Sequence, residues 1–422
     1  MQRSFIQVIG PGLLFAGSAV GVSHLVQSTR AGAMYGLALV LFILLSMLAK
    51  YPAFSFAPRY AVATGRSLLS AYRKQGLYAL AVFALSTVLT MFIGTAANLL
   101  ITAGLAKSAI GLEYGLLPIA ASLSLAGMAL LVLGHYHWLD LIIKVLVAFL
   151  TVSTVTATII SLPVIDWSLS GKLLPSRFDT VTVLFIAALV GWMPTPLDVS
   201  IWQSQWTVAK IRDTGYTPTQ KEARLDFNVG YIATLVLALC FVILGTAVMH
   251  GSGARFEGNP AGFADQVIGL YEEALGKWSA FVVGIAALAV MFSTYLTILD
   301  GFPRALANLG LILNGNEETA QEDKATDKQR RRYYWISMVI MVCGALAIIS
   351  FFLGNLSRLV DFAATISFLG APVFALLNHR AIFGNDVPEK ARPGTVLRIW
   401  SKTGIAALIA FALLYLYLAY IN

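Results

Sequence analysis

Charge is scarce in this chain. Asp, Glu, Lys and Arg make up 12% of its 422 residues, about half the share of an ordinary soluble protein. A mean hydropathy of +0.78 points the same way. Together these values exclude a soluble enzyme, a disordered chain and a secreted disulfide scaffold. Cysteine is almost missing: Cys240 and Cys343 sit in apolar runs, and no CxxC occurs. Neither a disulfide framework nor a zinc site follows, and both thiols read as small buried hydrophobes. There is no phosphate-binding glycine loop with its lysine and no HExxH. No enzyme activity and no cofactor are therefore expected. The first apolar stretch runs straight into a second without a processing site, so no cleavable leader is expected either.

What the chain does have is apolar surface. Aliphatic, aromatic and sulfur side chains make up 58% of it. Runs of about 20 apolar residues, the length that crosses a bilayer, predict eleven spans. They lie at 7–33, 36–57, 78–105, 115–134, 139–162, 181–208, 227–249, 277–307, 334–353, 356–378 and 399–421. The segment 263–275 is amphipathic and is expected to lie along the interface. Lys and Arg set the orientation. With a cytoplasmic N-terminus, the clusters at 59–74, 210–224, 324–332 and 380–402 all fall inside. The outer loops then hold only scattered residues such as Lys107, Lys172 and Arg177. The reading is an integral membrane protein, placed in the plasma (inner) membrane, with its N-terminus cytoplasmic and its C-terminus outside. The net charge of +8 is then a matter of topology. Membrane lipid is the expected partner and nucleic acid is not. The polar stretch 314–332 is expected to be a mobile cytoplasmic connection.

Two spans are interrupted. The first reads GSAVGVSHLVQSTRAGAMYG over 17–36, and the sixth reads ALVGWMPTPLDVS over 188–200. Pro194 and Pro196 each remove a backbone donor and clash with the preceding turn, so a continuous sixth helix is not expected. Unwound backbone at membrane depth is tolerated where it lines a cavity or is buried in protein. Interrupted spans five apart point to a five-plus-five inverted-repeat transporter. The repeats would be 1–162 and 181–378, with 399–421 as an added helix, all in one membrane domain.

Several stretches resemble the Nramp family of proton-coupled divalent-metal transporters. They are GPGLLFAGSAV (10–20), RAGAMYG (30–36), YAVATGRSLLSAYR (60–73), FIGTAANLL (92–100), GKLLPS (171–176) and WMPTP (192–196). The resemblance implies an all-α, LeuT-type fold with broken helices 1 and 6 and eleven transmembrane helices. It also marks departures. The four positions that match the family's DPGN metal motif are Gly21, Val22, Ser23 and His24. The methionine of span 6 is kept as Met193, but Thr195 stands for the family's histidine, and the acidic pair of span 3 maps to Val88 and Met91.

The candidate substrate-binding residues around the breaks are Gly21, Ser23, His24, Met193, Thr195 and Asp198. Manganese and iron(II) want hard oxygen ligands or imidazole with at least one anion. Asp198 follows Pro196 by two and can be a metal ligand, a counter-charge to an organic cation, or a helix cap. Half-helix ends also suit organic solutes, and Trp192, Trp202, Trp206 and Tyr295 can wall such a site. His24 can change charge near neutral pH, or be a packed histidine. Asp300 and Arg304 share a helix face and are expected to pair. Asp361, three residues from Arg358, is expected to form an interfacial pair. Asp140 and Lys144 read as an inner gate or a solvated pair, and His135 and His137 as weak metal candidates.

The expected function is secondary active transport by alternating access, with an altered site. The cargo is then a small solute or a different ion, and a proton or sodium ion is the candidate coupling partner. The alternative is a divalent metal cation transporter with a site rebuilt from His24, Met193 and Asp198. A receptor on a transporter scaffold would need a signalling tail that the chain does not offer.

Overall fold

A computed structural model describes residues 10–133, 136–170, 172–250, 259–315, 324–352 and 356–420. His135 and the side chains of His137, Asp140 and Lys144 lie outside the described residues, and so does the gate read from them. Every regular element among the described residues is helical.

The first span is broken. α1 (Pro11–Ala19) stops at Val20, the chain turns at Gly21, and a π-helical turn (Ser23–Ser28) leads into α2 (Thr29–Tyr35). Then come α3 (Val40–Thr64), the short α4 (Leu68–Gln75), α5 (Leu77–Ile110), α6 (Leu116–Leu133) and α7 (Tyr136–Ser161). A short α8 (Trp167–Ser170) precedes the second broken span, α9 (Thr180–Trp192) and α10 (Val199–Thr214). α11 (Gln220–Met249), α12 (Pro260–Leu275), α13 (Trp278–Leu313), α14 (Lys324–Phe352), α15 (Leu356–Ile382) and α16 (Thr395–Tyr420) complete the chain.

Among the described residues, seven helices are each long and apolar enough to cross a bilayer: α3, α5, α11, α13, α14, α15 and α16. All seven coincide with predicted spans. Both predicted interruptions are present, which is the architecture expected of a LeuT-type fold.

Local chemistry explains the ends. α11 opens on a capping box, in which the Thr219 hydroxyl accepts from the Glu222 N–H and the Glu222 carboxylate accepts from the Thr219 N–H, satisfying two orphan donors. The N-terminus of α1 is capped from far away: the Asp226 carboxylate accepts from Gly10 N–H at 2.8 Å and from Gly12 N–H at 2.7 Å. That contact needs the two backbones close together. A Cβ on Gly12 would stand 2.1 Å from the Asp226 carbonyl oxygen, so glycine is the residue that lets α1 lie on α11.

Three expectations change, one of them that for Cys343, which is exposed rather than buried. The stretch 324–332 is the first part of α14 rather than a mobile connection. Asp327 pairs there with Arg330 and with Arg331, three and four residues on, the spacing at which charge pairs support a helix. The amphipathic segment 263–275 is a helix. Its apolar stripe of Phe263, Val267, Leu270 and Tyr271 is buried, and the helix packs on α5 and α13.

Candidate functional site

The two breaks face one cavity. Its empty volume is about 600 Å³. Span 1 contributes Ser18, Ala19, Val22 and Ser23, and span 6 contributes Trp192, Thr195, Pro196, Asp198, Val199 and Trp202. Three helices close the rest. α5 presents Thr90, Gly94 and Asn98, and α13 presents Thr294, Ile298 and Phe302. Each of those sets is spaced by four, so it forms one stripe of its helix. α15 adds Ala363 and Ser367.

The helix breaks leave backbone groups that need partners, and side chains supply them. Thr294 donates its hydroxyl to the Gly17 carbonyl at 2.8 Å and lies 3.3 Å from that of Val20. A Cβ on Gly21 would stand 2.7 Å from the Thr294 methyl. The space a carboxylate would need at position 21 is therefore already taken by α13. Thr294→Val, which keeps the shape but not the hydroxyl, is expected to lower unfolding stability by about 1–2 kcal/mol. An unchanged melting temperature would show that these carbonyls do not depend on it.

Ser23 joins the two breaks. Its hydroxyl oxygen lies 2.6 Å from Ala19 O, 3.2 Å from Pro194 O and 2.8 Å from His24 Nδ1. His24 itself is fully buried and turned away from the cavity, with Nε2 2.9 Å from the Thr234 carbonyl of α11. A carbonyl only accepts, so Nε2 carries the hydrogen in that bond. Met193 is buried at the end of α9 and does not line the cavity.

Across the break, Pro194 lacks the N–H that would have bonded to Val190 O. α3 fills the vacancy. Lys50 donates to Val190 O at 2.6 Å and to Gly191 O at 2.8 Å. One turn earlier, Ser46 donates to Met193 O at 2.9 Å and lies 3.1 Å from Val190 O. On the other side of the break, Asp198 stands at the start of α10. It makes no capping bond into the turn ahead, and it is buried at the cavity wall.

Of the six residues singled out in the sequence, Ser23, Thr195 and Asp198 meet at the cavity, and Gly21, His24 and Met193 do not line it. Of the aromatic candidates, Trp192 and Trp202 are on the wall. Trp206 instead donates to Asp300 at 3.1 Å, and the Tyr295 hydroxyl lies 2.8 Å from that of Ser124. Asn98, Thr294, Ser367 and Phe302 had no individual signal in the sequence. Lys50 had one, because a lone lysine inside an apolar run marks a site by default.

Polar clusters bracket the cavity at opposite ends of span 1. At the α2 end, Arg30 meets Asp361 of α15 through two bonds of 2.6 and 3.0 Å, and Gln27 donates to the same carboxylate at 3.1 Å. The guanidinium also sits 5.0 Å from the Phe185 ring of α9. Asp361 therefore pairs across the fold with Arg30 rather than with its neighbour Arg358. At the other end, Asp300 accepts from Arg304 at 2.9 and 2.7 Å, from Trp206, and from Tyr334 at 3.0 Å. The expected Asp300–Arg304 pair is present and ties α10, α13 and α14 together. A second, open cavity of about 1090 Å³, lined by Pro11, Trp206, Lys210, Asp300 and Arg304, adjoins it.

Among the described residues, no group of three or more His, Cys, Asp or Glu is placed to hold a metal ion.

Three comparisons bear on this site. A family model described as natural resistance-associated macrophage protein-like (Nramp) matches residues 12–419. A Pasteurella multocida protein described as uncharacterized is 32% identical over 98% of this chain and 93% of its own length. The divalent metal cation transporter MntH of Brucella suis is 27% identical over 60% of this chain and 56% of its own. The structure of a mutant Eremococcus coleocola manganese transporter superposes with a TM-score of 0.66 at 16% identity, covering 98% of this chain and 87% of that one. At that identity the likeness is one of fold.

Proposed function

The chain belongs to the natural resistance-associated macrophage protein-like (Nramp) family, and from that premise we propose that it is a secondary active transporter whose cargo is a small organic solute rather than manganese or iron(II). The observation that carries the cargo assignment is the cavity lining. Among the described residues, Asp198 is the one ionisable side chain on it, beside hydroxyls, the Asn98 amide and three aromatic rings. Divalent first-row ions are held by several oxygen, imidazole or sulfur ligands, with anions to offset their charge. A pocket of scattered polar groups on aromatic walls is the usual form of a site for a small organic molecule.

Alternating access follows from the bracketing clusters. The Arg30–Asp361 pair closes one end of the cavity and the Asp300 cluster closes the other. Releasing one while the other holds exposes the site to one side at a time. With the N-terminus cytoplasmic, Arg30 is external and Asp300 internal. In this reading residues 1–162 and 181–378 are the repeats that move against each other, and 399–421 is an addition.

A divalent cation is the competing cargo. It is favoured by the identity shared with the protein named as a divalent metal cation transporter. It requires His24 to leave Thr234 and Met193 to turn out of the core, so that both reach Asp198.

A thermal-shift panel on purified protein separates the two: divalent metals against amino acids, organic acids and organic cations, at two pH values. A ligand at about 100 times its dissociation constant stabilises by about 2.7 kcal/mol. The proposal expects a shift with an organic solute that is lost in Asp198→Ala. A shift with manganese, lost in Asp198→Ala and His24→Ala, would overturn it.

A further inference from the structure

The carbonyl end of a broken transmembrane helix is the place where such transporters hold a cation, because freed carbonyls and the negative end of the helix dipole converge there. In this chain that place is already filled. The α9 end carries the orphaned Val190 carbonyl and, beside it, those of Gly191 and Met193. The Lys50 ammonium lies 2.6 Å from the first and 2.8 Å from the second, and Ser46 takes the third. Lys50 is fully buried, in the middle of α3. A buried ammonium is costly unless it is paired or hydrogen-bonded, and these short, charge-assisted contacts are its compensation. Asp198 stands on the opposite lip of the same break, at the start of α10.

We infer that Lys50 is a tethered cation: its ammonium occupies the cation position of the span 6 break, so that the loaded site needs no free sodium, potassium or divalent ion there. Two consequences follow. A fixed positive charge on the Val190 and Gly191 carbonyls opposes a divalent ion at this break, so the site suits an organic solute better. Sodium is also removed as a coupling ion at this position. The inference leans on the transporter reading only for what it says about coupling. The closing experiment reads stability, so a failed uptake assay and a failed cation assay are told apart.

The test compares full-length wild type with Lys50→Ala by thermal unfolding in choline, sodium and potassium chloride at one ionic strength, with and without propylammonium. Wild type is expected to melt at the same temperature in all three salts. Lys50→Ala is expected to melt several degrees lower in choline. Sodium, or propylammonium replacing the missing ammonium, should recover part of that loss without affecting wild type. A wild type stabilised by sodium or potassium over choline would overturn the inference, since a free cation would then bind with Lys50 in place. So would Lys50→Ala that melts with the wild type, or that responds to neither sodium nor propylammonium. If Lys50→Ala gives no folded protein, the wild-type salt series and the pair Lys50→Arg and Lys50→Met decide. The charged variant must melt above the uncharged one, and the reverse order would sink the inference.

Discussion

Asp361→Ala is expected to release the closed end of the cavity and to slow transport. Arg30 is almost wholly buried, with only 8% of its side chain exposed, whereas the Asp361 side chain is 38% exposed. Breaking a buried pair by deleting one partner costs about 3–5 kcal/mol. The exposure of Asp361 reduces that to about 1–3 kcal/mol, because water screens the contact. If the pair forms only when this end is closed, that energy biases the closed state over the open one by about 5- to 150-fold. Uptake into proteoliposomes of the solute identified by the panel should therefore fall by about that factor. Arg30→Ala should do the same, and the double variant should lose no more than either single one, since one interaction is being removed. Gln27, which bonds to the same carboxylate, should show a smaller effect. Uptake at wild-type rate in Asp361→Ala would mean that the pair does not hold the cavity shut.

The largest loss of stability is expected at Trp202. Its ring is 2% exposed and meets Phe302 edge-on at 4.6 Å between centroids. It lies on Gly301, where a Cβ would come within 2.5 Å of it. Truncating a buried tryptophan to alanine costs about 3–5 kcal/mol. Trp202→Ala should lose that much and should also widen the cavity. Trp202→Phe tests recognition separately. Among the described residues, the indole nitrogen of Trp202 and both amide atoms of Asn98 are buried without a hydrogen-bond partner, and both side chains line the cavity. Unpaired buried polar groups are expensive, and a solute carrying a donor and an acceptor would satisfy them. Trp202→Phe should therefore retain most of the stability and lose affinity for the solute. Equal affinity in wild type and Trp202→Phe would remove the indole N–H from recognition.

Much of this architecture is legible in the sequence. Long apolar runs give the spans. Pro194 and Pro196 give the second break, because proline removes donors wherever it occurs. The rotation of side chains at the breaks is not legible. Helical periodicity predicts a face only while the helix is regular, and the π-helical turn from Ser23 to Ser28 shifts the phase. His24, next to Ser23, is turned about 100° from it and points into α11 rather than into the cavity. Long-range partners are equally hidden. Asp361 has a basic neighbour three residues away, yet its partner is Arg30, 331 positions distant. Lys50 shows in the sequence only as a lone charge in an apolar run. Its bond to Val190 depends on a vacancy that Pro194 makes in another helix.

Whether the cavity at the two breaks is a metal site decides the cargo. Isothermal titration of manganese into purified wild-type protein tests this most directly, with Asp198→Ala as the paired variant. A site with one carboxylate, a tethered ammonium and no turned-in imidazole predicts no saturable heat, meaning a dissociation constant weaker than about 1 mM, or about −4.1 kcal/mol. Saturable binding in the micromolar range that disappears in Asp198→Ala would contradict it and return the cavity to a divalent cation.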